Sequence, residues 1–148
     1  MLPETSNMST PLNIALTGVG GRMGTRLVQQ IAACPDLRLV DALVRSDSPL
    51  IGRDAGEVSG VGAMGVACSH AIEFAPIPHV LIDFSNPRAM RQWLAVCAHR
   101  RIPMLIGTTG LDADDHRAID EASLETPLLQ AANTSMGVAV LARLCAIA

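Results

Sequence analysis

The chain has 148 residues, a length typical of one domain, and 49% of them are hydrophobic, which is enough for a sizeable core. The net charge is −3 and aromatic residues are limited to one Trp and two Phe, so a nucleic-acid partner is not expected. No apolar run reaches the roughly 18 residues of a membrane span. Residues 1–11 are polar and lack the features of a signal peptide, which predicts a flexible tail on a cytoplasmic protein without a membrane partner.

The most informative segment is a strand-length apolar run, Leu12–Thr17, followed by a glycine-rich turn. The glycines stand at positions 18, 20, 21 and 24, which fits G-x-x-G-x-x-G with one extra glycine. Glycine allows a tight turn and lets the main chain approach a pyrophosphate, and the N–H groups that open the next helix attract an anion. The segment therefore indicates a dinucleotide-binding turn, although glycine-rich turns also occur as ordinary loops.

A helix is predicted directly after this turn, over Arg22–Ala33, ending before Pro35. Met23, Leu27 and Ile31 recur every four residues, so they are expected to form one apolar stripe along the helix.

Strand-like and helix-like segments alternate through the rest of the chain. A helix is predicted after Ser85 or Asn86, with Pro87 at its first position, and another begins with three aspartates near position 112. Residues 45–65 are too long for a simple turn and are predicted to be flexible or functional. The remaining predictions are strands at 37–44, 65–68, 79–84, 102–106 and 127–130, a helical turn at 69–74 and a final apolar helix.

This alternation predicts an α/β fold with a doubly wound parallel sheet of the Rossmann-like type. In such sheets ligands bind beyond the carboxyl ends of the strands. Three segments follow strand ends in this way, namely the glycine turn, residues 107–110 (GTTG) and residues 131–135 (AANTS).

Cysteines and histidines are scattered and give no metal-ligand spacing, so no metal site is expected. The four cysteines are expected to be reduced and buried.

The end of the second strand bears on the choice of cofactor. An NAD site places an acidic residue there to bind the ribose hydroxyls, but Asp41 lies inside the predicted strand and Val44 and Arg45 occupy its tip. Arg45 could hold a 2′-phosphate, or it could be an ordinary surface arginine. The hypothesis is NADPH as the preferred cofactor, with NADH as the alternative.

Four motifs taken together resemble the amino-terminal half of the dihydrodipicolinate reductase family. They are GVGGRMG at 18–24, DFS at 83–85, GTTG at 107–110 and AANTSMG at 131–137, with RDAGE at 53–57 also fitting. The resemblance implies NAD(P)H-dependent reduction of 4-hydroxy-tetrahydrodipicolinate, a cyclic dicarboxylate, in lysine (diaminopimelate) biosynthesis. Many members carry an acid where Val44 stands, so its absence supports the phosphate hypothesis for Arg45.

The resemblance also implies a set of cofactor-binding residues. The turn at 107–110 could otherwise be an ordinary turn, and residues 133–135 an ordinary helix cap. The hydroxyl and N–H groups of Thr108 and Thr109 are expected to face the crevice. The residues implied for the pyrophosphate are Gly18, Val19, Gly20, Gly21, Arg22 and Met23. Arg45 is implied for the adenosine ribose. The residues implied for the nicotinamide side are Gly107, Thr108, Thr109, Ala131, Ala132, Asn133 and Thr134.

The expected organisation is a dinucleotide-binding domain at 12–135 and the truncated start of an interdomain helix at 136–148. The family's substrate domain, with its His-His pair and lysine, would lie beyond residue 148, so no catalytic residue is assigned and this chain alone is expected to be inactive. The resemblance implies a homotetramer for a full-length protein. Two alternatives stay open: a nucleotide-binding module without turnover, and another dehydrogenase or sensor with this fold.

Overall fold

The fold was determined as a computed structural model that describes residues 10–73 and 76–131. Its strands form one sheet in the order β3-β2-β1-β4-β5-β6, and every neighbouring pair is parallel. The predicted doubly wound α/β fold is confirmed. The elements are β1 (Leu12–Thr17), α1 (Arg22–Ala33), β2 (Leu37–Leu43), α2 (Ala55–Val58), β3 (Cys68–Ser69), β4 (Val80–Asp83), α3 (Pro87–Arg100), β5 (Met104–Ile106), α4 (Ala113–Ala122) and β6 (Leu128–Gln130).

Strand β1 lies at the centre of the sheet, and its side chains feed two hydrophobic clusters. Successive side chains of a strand point to opposite faces, so Ile14 and Leu16 join one cluster while Ala15 joins the other. We name these the α1-side cluster, which contains Val28 and Ile31, and the α3-side cluster. The buried members of the α3-side cluster are Ala15, Leu43, Ile72, Leu81, Met90, Leu94, Cys97, Ile102, Met104, Ile106 and Ile119.

Helix α1 packs through a face that differs from the predicted stripe. Ile31 is buried and Leu27 is half-buried, but Met23 is 46% exposed. Gly24 and Val28 complete the buried face instead. A Cβ on Gly24 would clash with the Gly18 carbonyl oxygen, so glycine at this position lets the helix approach the preceding turn.

Helix α3 begins with one of the two capping residues that the sequence indicated, and α4 begins at the predicted group of aspartates. The Asn86 side chain accepts a hydrogen bond from the Ala89 N–H at 3.0 Å, and Pro87 is the first helical residue. Asp112 caps α4 and forms a reciprocal capping box with Asp115. Arg91 of α3 pairs with both of these aspartates, which fastens the start of α4 to α3.

The long segment after β2 is organised around Asp54 and contains the short helix α2, which the sequence did not predict. The Asp54 carboxylate accepts hydrogen bonds from five main-chain N–H groups at 2.7–3.2 Å. These bonds hold the pKa of Asp54 below its ordinary value. The donors are Gly56, Glu57, Met64, Gly65 and Val66.

The helical turn predicted at 69–74 is wrong for the described residues 69–73. Ser69 belongs to β3, and its hydroxyl binds both the N–H and the carbonyl of Ala71 in a tight non-helical turn. The short strand predicted at 65–68 is likewise shifted, since β3 comprises Cys68 and Ser69.

The predicted tail at 1–11 and the final helix at 136–148 lie wholly or largely outside the described residues. Within the described part, no helix has the length and apolar character needed to cross a membrane.

Candidate functional site

The turn between β1 and α1 leaves its helix start without a side-chain cap. Gly21 is the N-cap residue, no side chain of residues 10–73 or 76–131 caps the first turn, and no acidic residue lies in that turn. The other three helices in the described ranges each receive a cap from Asp54, Asn86 or Asp112. The N–H groups that open α1 are therefore free of side-chain acceptors, which is the arrangement that binds an anion.

The glycines of this turn allow close main-chain contacts. Gly18 has φ of 75°, and its N–H donates to the Leu43 carbonyl at 3.1 Å. A Cβ on Gly18 would clash with the Phe84 carbonyl oxygen, and a Cβ on Gly20 would lie 2.5 Å from the Leu50 side chain. The turn is thus enclosed by the end of β4 and by the segment that follows β2. Val19 is fully buried and belongs to the α1-side cluster, so its side chain does not face a ligand.

The second predicted turn, residues 107–110, follows β5 and packs against Phe84. The Gly107 N–H donates to the Asp83 carbonyl at 2.8 Å, and a Cβ on Gly107 would clash with the Phe84 ring. Thr109 is exposed, as expected, but Thr108 is only 4% exposed. The Thr108 hydroxyl therefore points inward, which corrects the prediction that it faces the crevice.

Asp83, the last residue of β4, accepts three hydroxyl hydrogen bonds and is fully buried. Thr17 and Ser85 donate to Oδ1 at 2.5 Å each, and Thr108 donates to Oδ2 at 2.6 Å. We name these four side chains the Asp83 network. Sequence reasoning quoted residues 83–85 only as a motif and gave Asp83 no role. The available signal was an acidic residue at the end of an apolar strand, with hydroxyl residues at the ends of neighbouring strands.

The end of β2 carries Asp41 and Arg45 in the predicted positions. Asp41 lies inside the strand and is 8% exposed; its Oδ1 accepts from the Glu73 N–H at 3.4 Å, and its Oδ2 has no hydrogen-bond partner within the described ranges. Burial raises the pKa of Asp41 above its ordinary value, and the nearby Glu73 charge adds to the rise. Arg45 lies beyond the strand end with 71% of its side chain exposed, and its Nε lies 3.5 Å from Asp47 Oδ1.

The last predicted segment begins beside β6. The Ala131 N–H donates to the Ile106 carbonyl at 2.9 Å, which places the start of this segment next to the end of β5. The other predicted binding residues there, Ala132, Asn133 and Thr134, lie outside the described residues. The structure thus brings the glycine turn, residues 107–110 and Ala131 to the same edge of the sheet, because parallel strands share their carboxyl ends.

The described cysteines are free thiols, and two of the three are buried. Burial, reinforced by the Asp83 charge, raises the pKa of Cys97 to about 12. Across residues 10–73 and 76–131, no three His, Cys, Asp or Glu side chains come together in a way that could hold a metal ion.

The chain matches the family described as "Dihydrodipicolinate reductase, N-terminus" over residues 12–134. It is 39% identical over 142 residues to a 4-hydroxy-tetrahydrodipicolinate reductase of Acinetobacter baumannii, covering 95% of this chain and 52% of that protein. A protein of the same name from Brucella abortus is 38% identical over 135 residues, covering 88% of this chain and 49% of the relative. The chain thus spans about half the length of the curated relatives it matches.

Solved structures share the fold at lower identity. A dipicolinate-bound dihydrodipicolinate reductase from Paenisporosarcina sp. TG-14 has a TM-score of 0.59 and 18% identity, covering 77% of this chain and 43% of that one. A myo-inositol dehydrogenase from Corynebacterium glutamicum has a TM-score of 0.57 and 26% identity, covering 80% of this chain and 36% of that one. These likenesses agree with a Rossmann-like sheet. The family match covers most of this chain and shows that it belongs to the dihydrodipicolinate reductase family of NAD(P)H-dependent oxidoreductases. The chain corresponds to the amino-terminal domain of that family's proteins.

Proposed function

We propose that this chain binds the nicotinamide nucleotide for the reduction of 4-hydroxy-tetrahydrodipicolinate to tetrahydrodipicolinate in lysine biosynthesis. The observation that carries the proposal is the helix start at Gly21, which has neither a side-chain cap nor an acidic first turn. Membership of the family supports the reaction, and the relatives' names supply the substrate. A cytoplasmic location and a homotetrameric full-length enzyme belong to the same proposal.

The residues present fit a dinucleotide. A pyrophosphate needs main-chain donors and no competing carboxylate, and the turn from Gly18 to Met23 offers both. Arg22, in the first helical turn and exposed, adds a positive charge beside these donors.

The nicotinamide end would lie at residues 107–109 and 131–134, beyond β5 and β6. When bound, the reduced nicotinamide supplies the hydride, and the protein supplies orientation. The Thr108 contribution would come from its main chain, since its hydroxyl is engaged with Asp83. No residue of this chain is proposed as the acid that protonates the substrate. A nucleotide-binding module without turnover therefore stays the second candidate for the chain by itself.

Arg45 is the proposed reason for a preference for NADPH. Its only described ionic partner, Asp47, is 74% exposed, and an exposed pair of this kind stabilises by about 0–1 kcal/mol. A hydrogen bond to a charged group contributes about 1.5–3 kcal/mol. A 2′-phosphate can therefore displace Asp47 from Arg45 at a net gain.

The test measures dissociation constants for NADPH and NADH by titration calorimetry on the wild type and on Arg45→Ala. The variant is expected to lose about tenfold or more of its preference for NADPH, because the 2′-phosphate loses its charged partner. Arg38→Ala is the matched control, since Arg38 is exposed at the amino end of β2, the opposite end from Arg45. An unchanged affinity ratio in Arg45→Ala would exclude Arg45 as the discriminator, and a wild type that binds neither nucleotide would refute the proposed function.

A further inference from the structure

We infer that Asp83 is a positioning residue, which fixes the turn at 107–110 for the nicotinamide end of the nucleotide. The inference rests on the proposed function, because it assigns a task within the same site. Asp83 cannot touch a ligand, since it is fully buried. It acts through Thr108, whose hydroxyl lies 2.6 Å from Asp83 Oδ2.

The hydrogen bonds of the Asp83 network all run from a hydroxyl group to the carboxylate. An ionised carboxylate only accepts hydrogen bonds, so each hydroxyl in the network points its single proton at Asp83. The Thr108 oxygen is then left as an acceptor, and it accepts the Ser85 N–H at 3.0 Å. Asp83 thereby joins the turn after β5 to the turn after β4 through one oriented hydroxyl.

The same network sets the spacing between the two proposed nucleotide-binding turns. Thr17 directly precedes Gly18, and it donates to the oxygen of Asp83 that also receives Ser85. Phe84 lies between the turns, with its carbonyl against Gly18 and its ring against Gly107. A change at Asp83 is therefore expected to move both the glycine turn and the turn at 107–110, which both contact Phe84.

The two turns depend on Asp83 to different degrees. The glycine turn is also held by main-chain bonds, from Gly18 N–H to Leu43 and from Gly21 N–H to the Gly18 carbonyl at 2.9 Å. The turn at 107–110 has one main-chain bond, from the Gly107 N–H to the Asp83 carbonyl at its first residue, and Thr108 beyond it is held by its hydroxyl, which bonds to Asp83 and Ser85. Loss of the carboxylate should disturb the nicotinamide side far more than the pyrophosphate side.

Asp83→Asn is the sharpest substitution, because it keeps the shape and replaces one acceptor by a donor. If the amide NH₂ faces Thr108, the Thr108 hydroxyl must accept twice and its own proton is left buried without a partner. If the NH₂ faces the other side, Thr17 and Ser85 meet a donor instead. Either orientation breaks the ordered set of hydroxyl bonds.

The experiment compares two ligands, NADPH and 2′-phospho-ADP-ribose, which lacks the nicotinamide. We expect Asp83→Asn to weaken NADPH binding at least tenfold and to change binding of 2′-phospho-ADP-ribose less than twofold. The fluorescence of bound NADPH should also move toward that of the free nucleotide. Thr108→Val is a second variant with the same expected pattern, in case Asp83→Asn does not fold. Thr126→Val is the matched control, because Thr126 is 2% exposed and its hydroxyl has no hydrogen-bond partner among the residues that the structure describes.

Equal losses for both ligands, with a lowered melting temperature, would overturn the inference and leave Asp83 a purely structural role. Unchanged NADPH binding in a folded Asp83→Asn would overturn it as well. If the wild type binds neither ligand, the proposed function itself fails, which is a distinct result from either of these.

Discussion

At the scale of single residues, two buried aspartates of the sheet have opposite surroundings. Asp83 receives three hydroxyl donors, whereas Asp41 receives one long main-chain bond, and its Oδ2 has no hydrogen-bond donor in the described part of the chain. A buried carboxylate without donors disfavours its charged form. The raised pKa of Asp41 means that the folded protein holds a proton there more tightly than the unfolded chain does.

Asp41→Asn is therefore expected to increase the free energy of unfolding at pH 7. The sign follows from linkage: the destabilisation by charged Asp41 is complete above its raised folded pKa and disappears as the pH falls below the unfolded pKa, near 3.8. Urea denaturation of wild type and variant at several pH values measures it, with the exposed Asp36→Asn as the control. A difference that stays constant down to pH 3 would contradict this account.

Individual site residues differ in how well the sequence could predict them. The turn at Gly18, the helix cap at Asn86 and the position of Arg45 beyond β2 were predictable, because each follows from neighbours within a few positions. Asp83 and Asp54 were missed because their partners are distant in the chain: Thr17 is 66 residues from Asp83, and Val66 is 12 residues from Asp54. The bond from Thr17 depends on which strands become neighbours, and the bond from Val66 depends on how the segment after β2 folds back, so no local pattern contains either.

At the scale of elements, α3 ends on a residue with an unfavourable backbone conformation. Arg101 is the C-cap of this helix with φ of 55°, the only positive φ of a non-glycine residue within the described ranges. The left-handed conformation is costly for residues with a Cβ, and glycine is the usual residue at this place.

The long predicted helices were identified well, whereas α2 was missed, since four residues give no helical period.

Arg101→Gly is expected to raise the stability by about 0.5–1 kcal/mol, because the strain exceeds the added freedom of glycine in the unfolded chain. Arg101→Ala separates this effect from the loss of the exposed contact with Glu125, whose closest atoms are 4.0 Å apart. Gly60→Ala is the reverse control: Gly60 has φ of 76° with open space around it, so a loss of about 1 kcal/mol is expected. Thermal melting of the three variants measures these differences, and a destabilised Arg101→Gly would refute the explanation.

At the scale of the whole molecule, one sheet lies between the α1-side and α3-side clusters, and its strands contribute side chains to both. Leu16 and Leu81 lie on neighbouring central strands, point to opposite faces and are fully buried. The overall α/β architecture was predictable because apolar strands and amphipathic helices alternate along the chain. The division of the core between the two faces was not, since it depends on which strands become neighbours.

Leu16→Ala and Leu81→Ala should each destabilise the chain by about 2–5 kcal/mol, by removing buried methyl groups and leaving a cavity. Both should shift a single cooperative transition, because the two clusters share the same strands. Denaturation followed by circular dichroism and by Trp93 fluorescence checks this, with the 60% exposed Leu129→Ala as the control. Two separate transitions in either variant would show that the faces unfold independently.

The hydrogen bonds from five main-chain N–H groups to Asp54 have a consequence for how the length of this segment can vary. Those donors lie on both sides of residues 60–63, which form an exposed tip. The segment is closed mainly by its two flanks, which meet at the Asp54 side chain, and by one main-chain bond from the Val61 N–H to the Gly56 carbonyl at 2.9 Å. Insertions at the tip would therefore leave Leu50 in place over Gly20, so evolution can vary the length here while the glycine turn keeps its shape.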